Sequence, residues 1–378
     1  MAQERNEPAV WIHPLAGADW GHFFSTICSH SGYSARGWIR LFLSALALSQ
    51  RWPCSRYEDL TERLRGADKG PGIGGDPPVF IIGHWGSGTT WVHQLLSSDP
   101  RFTAPDTGDC LMPHNLRESS RYWRWYLRHF LPTTRGFDAV NFSLEEPQEE
   151  EMALAALGSV SYFHTFYFPL DSERHQEEAL FPEALPPCKF SDFENAYTGF
   201  VRRIARRSPD RIPLIKNPAS TTRIPILEKW FPGSRYIHIV RNPEEVAAAA
   251  LNRIPYLRRR FSLQRDGQED LQEQVLSTYE RVMRRYLRDR VLLPEDRLVE
   301  VRYEELVSDP RLVVERIREN LSLPRDELAK ASLETALART SGITRANRSV
   351  CPEFAKEMKK RWRFAYDFWG YPLGSATA

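Results

Sequence analysis

Apolar and polar positions alternate along this chain between two periods. Val79-Phe80-Ile81-Ile82 is a short unbroken apolar run, the pattern of a strand covered on both faces. The loop GHWGSG follows, and Thr89 to Ser97 then sets Val92, Leu95 and Leu96 at helical spacing. Arg211 to Ile215, Ser234 to Val240 and Leu298 to Arg302 repeat the short apolar pattern and predict three more strands. Helical spacing is read over 221–231, 244–251 and 269–290, and from Pro310 onward. Ser143 to Leu157 (SLEEPQEEEMALAAL) predicts another helix, because Pro147 suits a first turn and carboxylates suit the positive end of a helix. Strands alternating with helices predict an α/β class, a central parallel sheet flanked by helices.

Residues 1–75 read as an N-terminal helical extension packed on the core, ending within the breaker-rich KGPGIGGDPP at 69–78. The apolar run Leu41 to Leu48 is shorter than the roughly 20 residues that cross a bilayer. Flanked by Trp38 and Trp52, it reads as a packed helix or else an interfacial one, with no stable membrane insertion. Residues 76–372 form one α/β domain, and 373–378 a tail.

Hydrophobic residues at 42% and charged residues at 26% provide for an ordinary globular core. A net charge of +2 argues against nucleic acid and against broad adhesion to anionic membranes. Of 51 basic side chains only eight are Lys, and arginine suits bidentate anion binding. The five cysteines are scattered with no CxxC pair, as in reduced cytoplasmic proteins. MAQERNEPAV lacks the basic and apolar regions of a signal peptide. A homo-oligomer is compatible with all of this.

The loop carries the chemistry. Gly83-His84-Trp85-Gly86-Ser87-Gly88-Thr89-Thr90 follows a strand and opens a helix, and Gly83 and Gly88 keep the G-x-x-x-x-G spacing of a phosphate loop. Glycines let successive N–H groups converge on an anion, and the helix start adds positive potential. Ser87, Thr89 and Thr90 add hydroxyl donors. A Walker loop requires Lys where Thr89 stands, which argues against an ordinary ATPase, and the spacing does not fit a dinucleotide fingerprint.

The run PPVFIIGHWGSGTTWVHQLLSSDPRF is similar to the opening segment of the sulfotransferase family, which has an SGTT core after its first strand. VNFSLEEPQEEEMAL (140–154), PLIKNPASTTRIPILEKWFPGSRYIHIVRNP (213–243), VEVRYEELVSDP (299–310) and RWRFAYDFWGY (361–371) resemble further segments of its bacterial branch. The resemblance implies the donor PAPS (3′-phosphoadenosine 5′-phosphosulfate), its product PAP and a small-molecule acceptor. It places Ser87, Gly88, Thr89 and Thr90 at the 5′-phosphate and Trp91 on the adenine, with His84, Trp85 and Gly86 counted with them among the loop's cofactor-binding residues. Arg241 falls at the 3′-phosphate, Tyr303 at the adenine and Lys216 at the transferring sulfuryl group. Lys216 and Arg241 also end strand-like segments, where open α/β sheets bind ligands. The chain departs from the family at Gly86, usually Lys or Arg, at Ala249, usually Ser, and at Pro218, where cytosolic members place a catalytic His. His84, if protonated, offers a substitute cation.

Transfer to a hydroxyl or amine requires a general base. Glu149 and Glu150 on the acidic segment are the first candidates, followed by His114 and His164, while His238 reads as structural. No metal-ligand cluster is evident. Tyr122, Trp123, Trp125, Tyr126, Phe163 and Phe166 offer an apolar lining for an aromatic or lipophilic acceptor. Two further readings stand beside PAPS-dependent transfer. One is the same fold with a degenerate PAPS site, performing another group transfer or a cyclisation in secondary metabolism. The other is a non-catalytic nucleotide- or partner-binding protein.

Overall fold

The computed structural model describes residues 13–64, 75–116, 120–128, 143–265, 267, 270–340 and 350–373. Most of the breaker-rich segment and nearly all of the tail lie outside these residues.

Five strands form one parallel sheet: β1 Val79–Gly83, β2 Phe102–Thr103, β3 Ile212–Lys216, β4 Arg235–Val240 and β5 Leu298–Arg302. Their spatial order is β2-β3-β1-β4-β5. Four of them follow the apolar runs of the sequence to within a residue. The two-residue β2 is too short to leave a periodic signal; it pairs with β3 as Phe102 opposite Ile212. Along β1 the side chains alternate between two cores. Val79 and Ile81 pack with Val92, Leu95 and Leu96 of helix α3 (Thr89–Ser97), while Phe80 and Ile82 face the larger core that holds Tyr236 and Ile215. The chain leaves β1 to build β3 on one side and then crosses to β4 on the other. That reversal opens the crevice beyond the carboxyl end of β1.

Three helices differ from expectation. The helix expected over 143–157 begins only at Glu151. Gln148 donates its backbone N–H to the Pro105 carbonyl at 2.9 Å, Thr107 donates to the Glu146 carbonyl at 3.0 Å, and Pro147 bridges Asp106. Residues 144–148 therefore run as a strap against 105–108, and this pairing outcompetes helix formation. The helix after β3 is split into a 3₁₀ turn, Pro218–Thr222, and the helix Ile224–Trp230. The helix after β4, expected over 244–251, runs on from Pro243 to Phe261 and contains Pro255.

Helices α1 (Trp20–Cys28) and α2 (Ala35–Leu64) precede the sheet, and Phe23, Leu41 and Leu48 join its larger core.

Candidate active site

The loop after β1 is shaped by three glycines at positive φ: Gly83 at 140°, Gly86 at 89° and Gly88 at 101°. At Gly88 an added Cβ would lie 2.3 Å from the Tyr303 ring, which would have to shift. Tyr303 thus closes over the start of α3, with Trp91 edge-on at 6.4 Å. Trp91 donates its indole N–H to Thr340 Oγ1 at 3.2 Å. Ser87 is buried, and its Oγ has no hydrogen-bond partner among the described residues. A buried orphan hydroxyl in a glycine cradle at a helix start suits an oxyanion ligand. The loop is anchored from the 3₁₀ turn after β3 by Thr221, whose Oγ1 accepts from the Gly83 N–H at 2.8 Å and donates to the Gly83 carbonyl at 3.1 Å.

Arg241, at the end of β4, donates to the Gly86 carbonyl at 2.9 Å and to Glu245 at 2.7 Å, with its guanidinium 4.4 Å from the Tyr303 ring centroid. Loop, Arg241 and Tyr303 therefore meet. His84 does not fit the part of a loop cation. It is buried, its Nδ1–H donates to the Trp85 carbonyl at 3.0 Å, and burial first, with the Arg253 charge, drives its pKa down to about 3. The imidazole is neutral at any physiological pH. Trp85 is buried against Tyr162, stacked at 4.0 Å, and Arg253 approaches its ring to 5.5 Å. The two sequence departures touch: a Cβ at Gly86 would lie 3.0 Å from that of Ala249. Arg253 stands one turn beyond Ala249, a cation that motif spacing alone does not single out.

Facing the loop is the acidic segment. Lys216 is opposite Ile81 in the sheet register, which sets its side chain next to the strand that feeds the loop. Its ammonium pairs with Glu149 Oε2 at 3.2 Å, with the lysine buried and the glutamate partly open. Glu150 and Glu151 lie deeper. Glu151 is paired with Arg223 at 2.9 Å and accepts from Asn217 at 2.6 Å. Among the described residues Glu150 has no ion-pair partner. Its Oε1 accepts from Tyr197 at 2.8 Å and from Asn217 at 3.0 Å, and Oε2 has no partner among the described residues. Burial raises its pKa to about 7 against the opposing Asn217 hydrogen bond, with the Glu151 charge adding to the rise. Asn217, Tyr197 and Arg223 went unremarked in the sequence because their partners are far away in the chain.

The histidine candidates lie elsewhere. His114 lines a cavity with Asp19, Trp20, Arg51 and Ser55, among the N-terminal helices, and burial lowers its pKa to about 3. His164 bonds the Ala155 carbonyl at 3.2 Å and packs edge-on to His175 at 5.3 Å. His238 stacks on Tyr286 at 3.7 Å inside β4. The six aromatic residues do not form one lining. Trp123 belongs to a small separate core, Tyr122 and Trp125 are exposed, and Phe163 and Phe166 lie in the main core.

The profile of the Sulfotransferase family matches residues 77–327. The omega-hydroxy-beta-dihydromenaquinone-9 sulfotransferases Stf3 of Mycobacterium bovis and Mycobacterium tuberculosis are 33% identical to this chain over 210 residues. That match covers 56% of this chain and 53% of each of them, so it spans about half the length of these curated relatives. Sulfotransferase STF9 from Mycobacterium avium superposes with a TM-score of 0.70 over 92% of this chain and 89% of its own, at 15% identity. STF1 from Mycobacterium tuberculosis H37Rv gives 0.60 over 90% of each chain, at 16% identity. At such identities the two structures speak for the fold, and the profile match for the lineage. The chain belongs to the sulfotransferase family of transferase enzymes.

Proposed function

We propose that this protein moves a sulfuryl group from PAPS to the hydroxyl of a small lipophilic acceptor. One observation carries the reading: the Lys216–Glu149 pair lies at the carboxyl end of β3, the strand bonded to the one that feeds the loop. The loop N–H groups with Ser87, Thr89 and Thr90 would hold the 5′-phosphosulfate, Arg241 the 3′-phosphate, and Trp91 and Tyr303 the adenine. When bound, PAPS supplies an activated sulfuryl group on a phosphate leaving group. Lys216 neutralises charge on the sulfuryl oxygens. Glu149 holds the acceptor hydroxyl and takes its proton as the oxygen bonds to sulfur. The bridging S–O bond breaks, and its electron pair goes to the departing phosphate. Arg253 supplies the positive charge near the loop that Gly86 cannot. A hydroxyl acceptor on a lipophilic body is supported by the names of the mycobacterial relatives.

A second reading, another group transfer without PAPS, is favoured by the missing loop cation and by Ala249. The two part in a sulfate-transfer assay with PAPS and a panel of hydroxylated lipophilic acceptors. The expected result is PAP release that depends on acceptor. It should fall about a hundredfold in Lys216→Met and in Glu149→Gln, the scale of losing a preorganised charge or a general base. Arg253→Ala should lower it about tenfold. No PAP release with any acceptor would favour the second reading.

A further inference from the structure

Helix α2 is built inside out. Its inward stripe, at spacings of three and four, is Gly37, Leu41, Ser44, Leu48, Arg51, Ser55 and Glu58, all buried and for the most part polar. Arg51 on that stripe donates to the Ala16 carbonyl at 3.2 Å and to Ser55 at 2.6 Å. The outward face carries two exposed apolar groups, Ile39, Phe42 and Leu46 on the first turns and Tyr57, Leu60 and Leu64 on the last, with exposed Ser49, Gln50 and Pro53 between them. Ile39 is 61% and Phe42 70% accessible, and Trp38 beside them is 55% accessible. A surface helix ordinarily turns its apolar residues to the core, and an exposed apolar cluster such as Trp38, Ile39, Phe42 and Leu46 marks a binding surface. The patch continues beyond the helix, where Tyr33 packs against Trp38 at 5.1 Å and exposed Leu170 lies over Gly32.

Charge decides the occupant. The first part of α2, residues 35–57, contains four arginines and no acidic residue, and the acidic residues Glu58, Asp59 and Glu62 are confined to its last turns. Arg36 and Arg56 are exposed. Arg40 spends its donors on the Ser262 and Arg259 carbonyls and faces the like charges of Arg36 and Arg260. Among the described residues neither Arg36 nor Arg40 is paired with a carboxylate. An apolar stripe with tryptophan at the polar boundary and arginine alongside is the composition of a helix that lies in the plane of an anionic bilayer surface. No helix among the described residues is long and apolar enough to cross a membrane, so α2 would lie on the surface, not span it. The net charge of +2 does not reveal this local excess of arginine at the start of α2.

We propose that the exposed face of α2 is a docking surface for anionic phospholipid membranes. The inference does not depend on PAPS use or on the acceptor. The test is flotation of the full-length protein with phosphatidylcholine vesicles, with and without phosphatidylglycerol. The protein should float with the anionic vesicles and not with pure phosphatidylcholine. Binding should weaken severalfold as salt is raised, since the arginines are at the surface. The paired substitution Ile39→Glu with Phe42→Glu should reduce binding at least about tenfold, and Arg36→Glu about fivefold. Both should leave PAP binding and the thermal midpoint unchanged, because these side chains are exposed. Absence of flotation at any anionic content, or equal flotation of wild type and variants, would overturn the proposal. So would a dimer by light scattering that Ile39→Glu with Phe42→Glu makes monomeric in a protein that ignores vesicles; the face would then belong to a second copy.

Discussion

The phosphate loop and the acidic segment that faces it solve the placement of charge by opposite means. The loop makes its positive field from backbone: three glycines at positive φ, the start of α3 and an orphan Ser87 hydroxyl, with no cationic side chain of its own. The acidic segment makes its field from side chains, three consecutive glutamates each given a different environment. Glu149 has Lys216, Glu151 has Arg223, and Glu150 has only neutral donors. A backbone site is sensitive to any added Cβ, whereas a side-chain site is sensitive to the loss of one partner.

Removing a partner should therefore give the largest effect. Arg223→Met leaves Glu151 buried without its cation, and should lower unfolding free energy by about 3–5 kcal/mol in denaturant titration. A loss below about 1 kcal/mol would mean that Asn217 alone satisfies that carboxylate.

Glu150 is the reverse case. Its folded pKa of about 7 lies above the ordinary 4.5, so the protonated form favours the fold. That contribution is complete below pH 4.5 and disappears as pH rises through 7. Glu150→Gln, which keeps the Tyr197 and Asn217 contacts, should be more stable than wild type above pH 7, by up to about 3 kcal/mol. The two proteins should converge toward pH 4.5, and parallel pH–stability curves would contradict the assignment.

On the loop side, Gly88→Ala drives a Cβ into the Tyr303 ring and forces φ near 101° on a residue with a side chain, a strain of about 1–2 kcal/mol. PAP affinity should fall at least about tenfold, and Tyr303→Ala in the same chain should not rescue it fully, since the φ strain remains. Gly86→Arg should have the smallest consequence. Its Cβ meets that of Ala249 at 3.0 Å, where an ångström-fraction shift suffices, and the strain is again about 1–2 kcal/mol. On the proposed role of Arg253 as loop cation, the substitution should not raise PAP affinity. A tenfold gain in calorimetry would show that the cation is truly missing.

The same contrast explains what the sequence made legible. Strands β1, β3, β4 and β5 are continuous apolar runs, and the loop is a local string of glycines and hydroxyls, so both could be read residue by residue. The acidic segment could not. Its strap conformation is imposed by residues 105–108, and the separate environments of Glu149, Glu150 and Glu151 come from Lys216, Asn217, Tyr197 and Arg223. Nor can a charge state be read from a motif: His84 sits in the loop yet is neutral, because burial outweighs its position. The exposed apolar groups of α2 could not be assigned from the sequence either, because apolar residues occur on both faces of that helix and only the fold says which face is out.

The central claim is that the glycine loop, Arg241 and Tyr303 form a working site for the PAPS nucleotide, even with Gly86 at the usual place of a cation. Calorimetric titration of the full-length protein with PAP tests it most directly. Saturable one-to-one binding in the micromolar range, lost in Gly88→Ala and in Arg241→Ala, is the predicted result. Absence of binding to the wild-type protein would contradict it and leave the loop with another ligand.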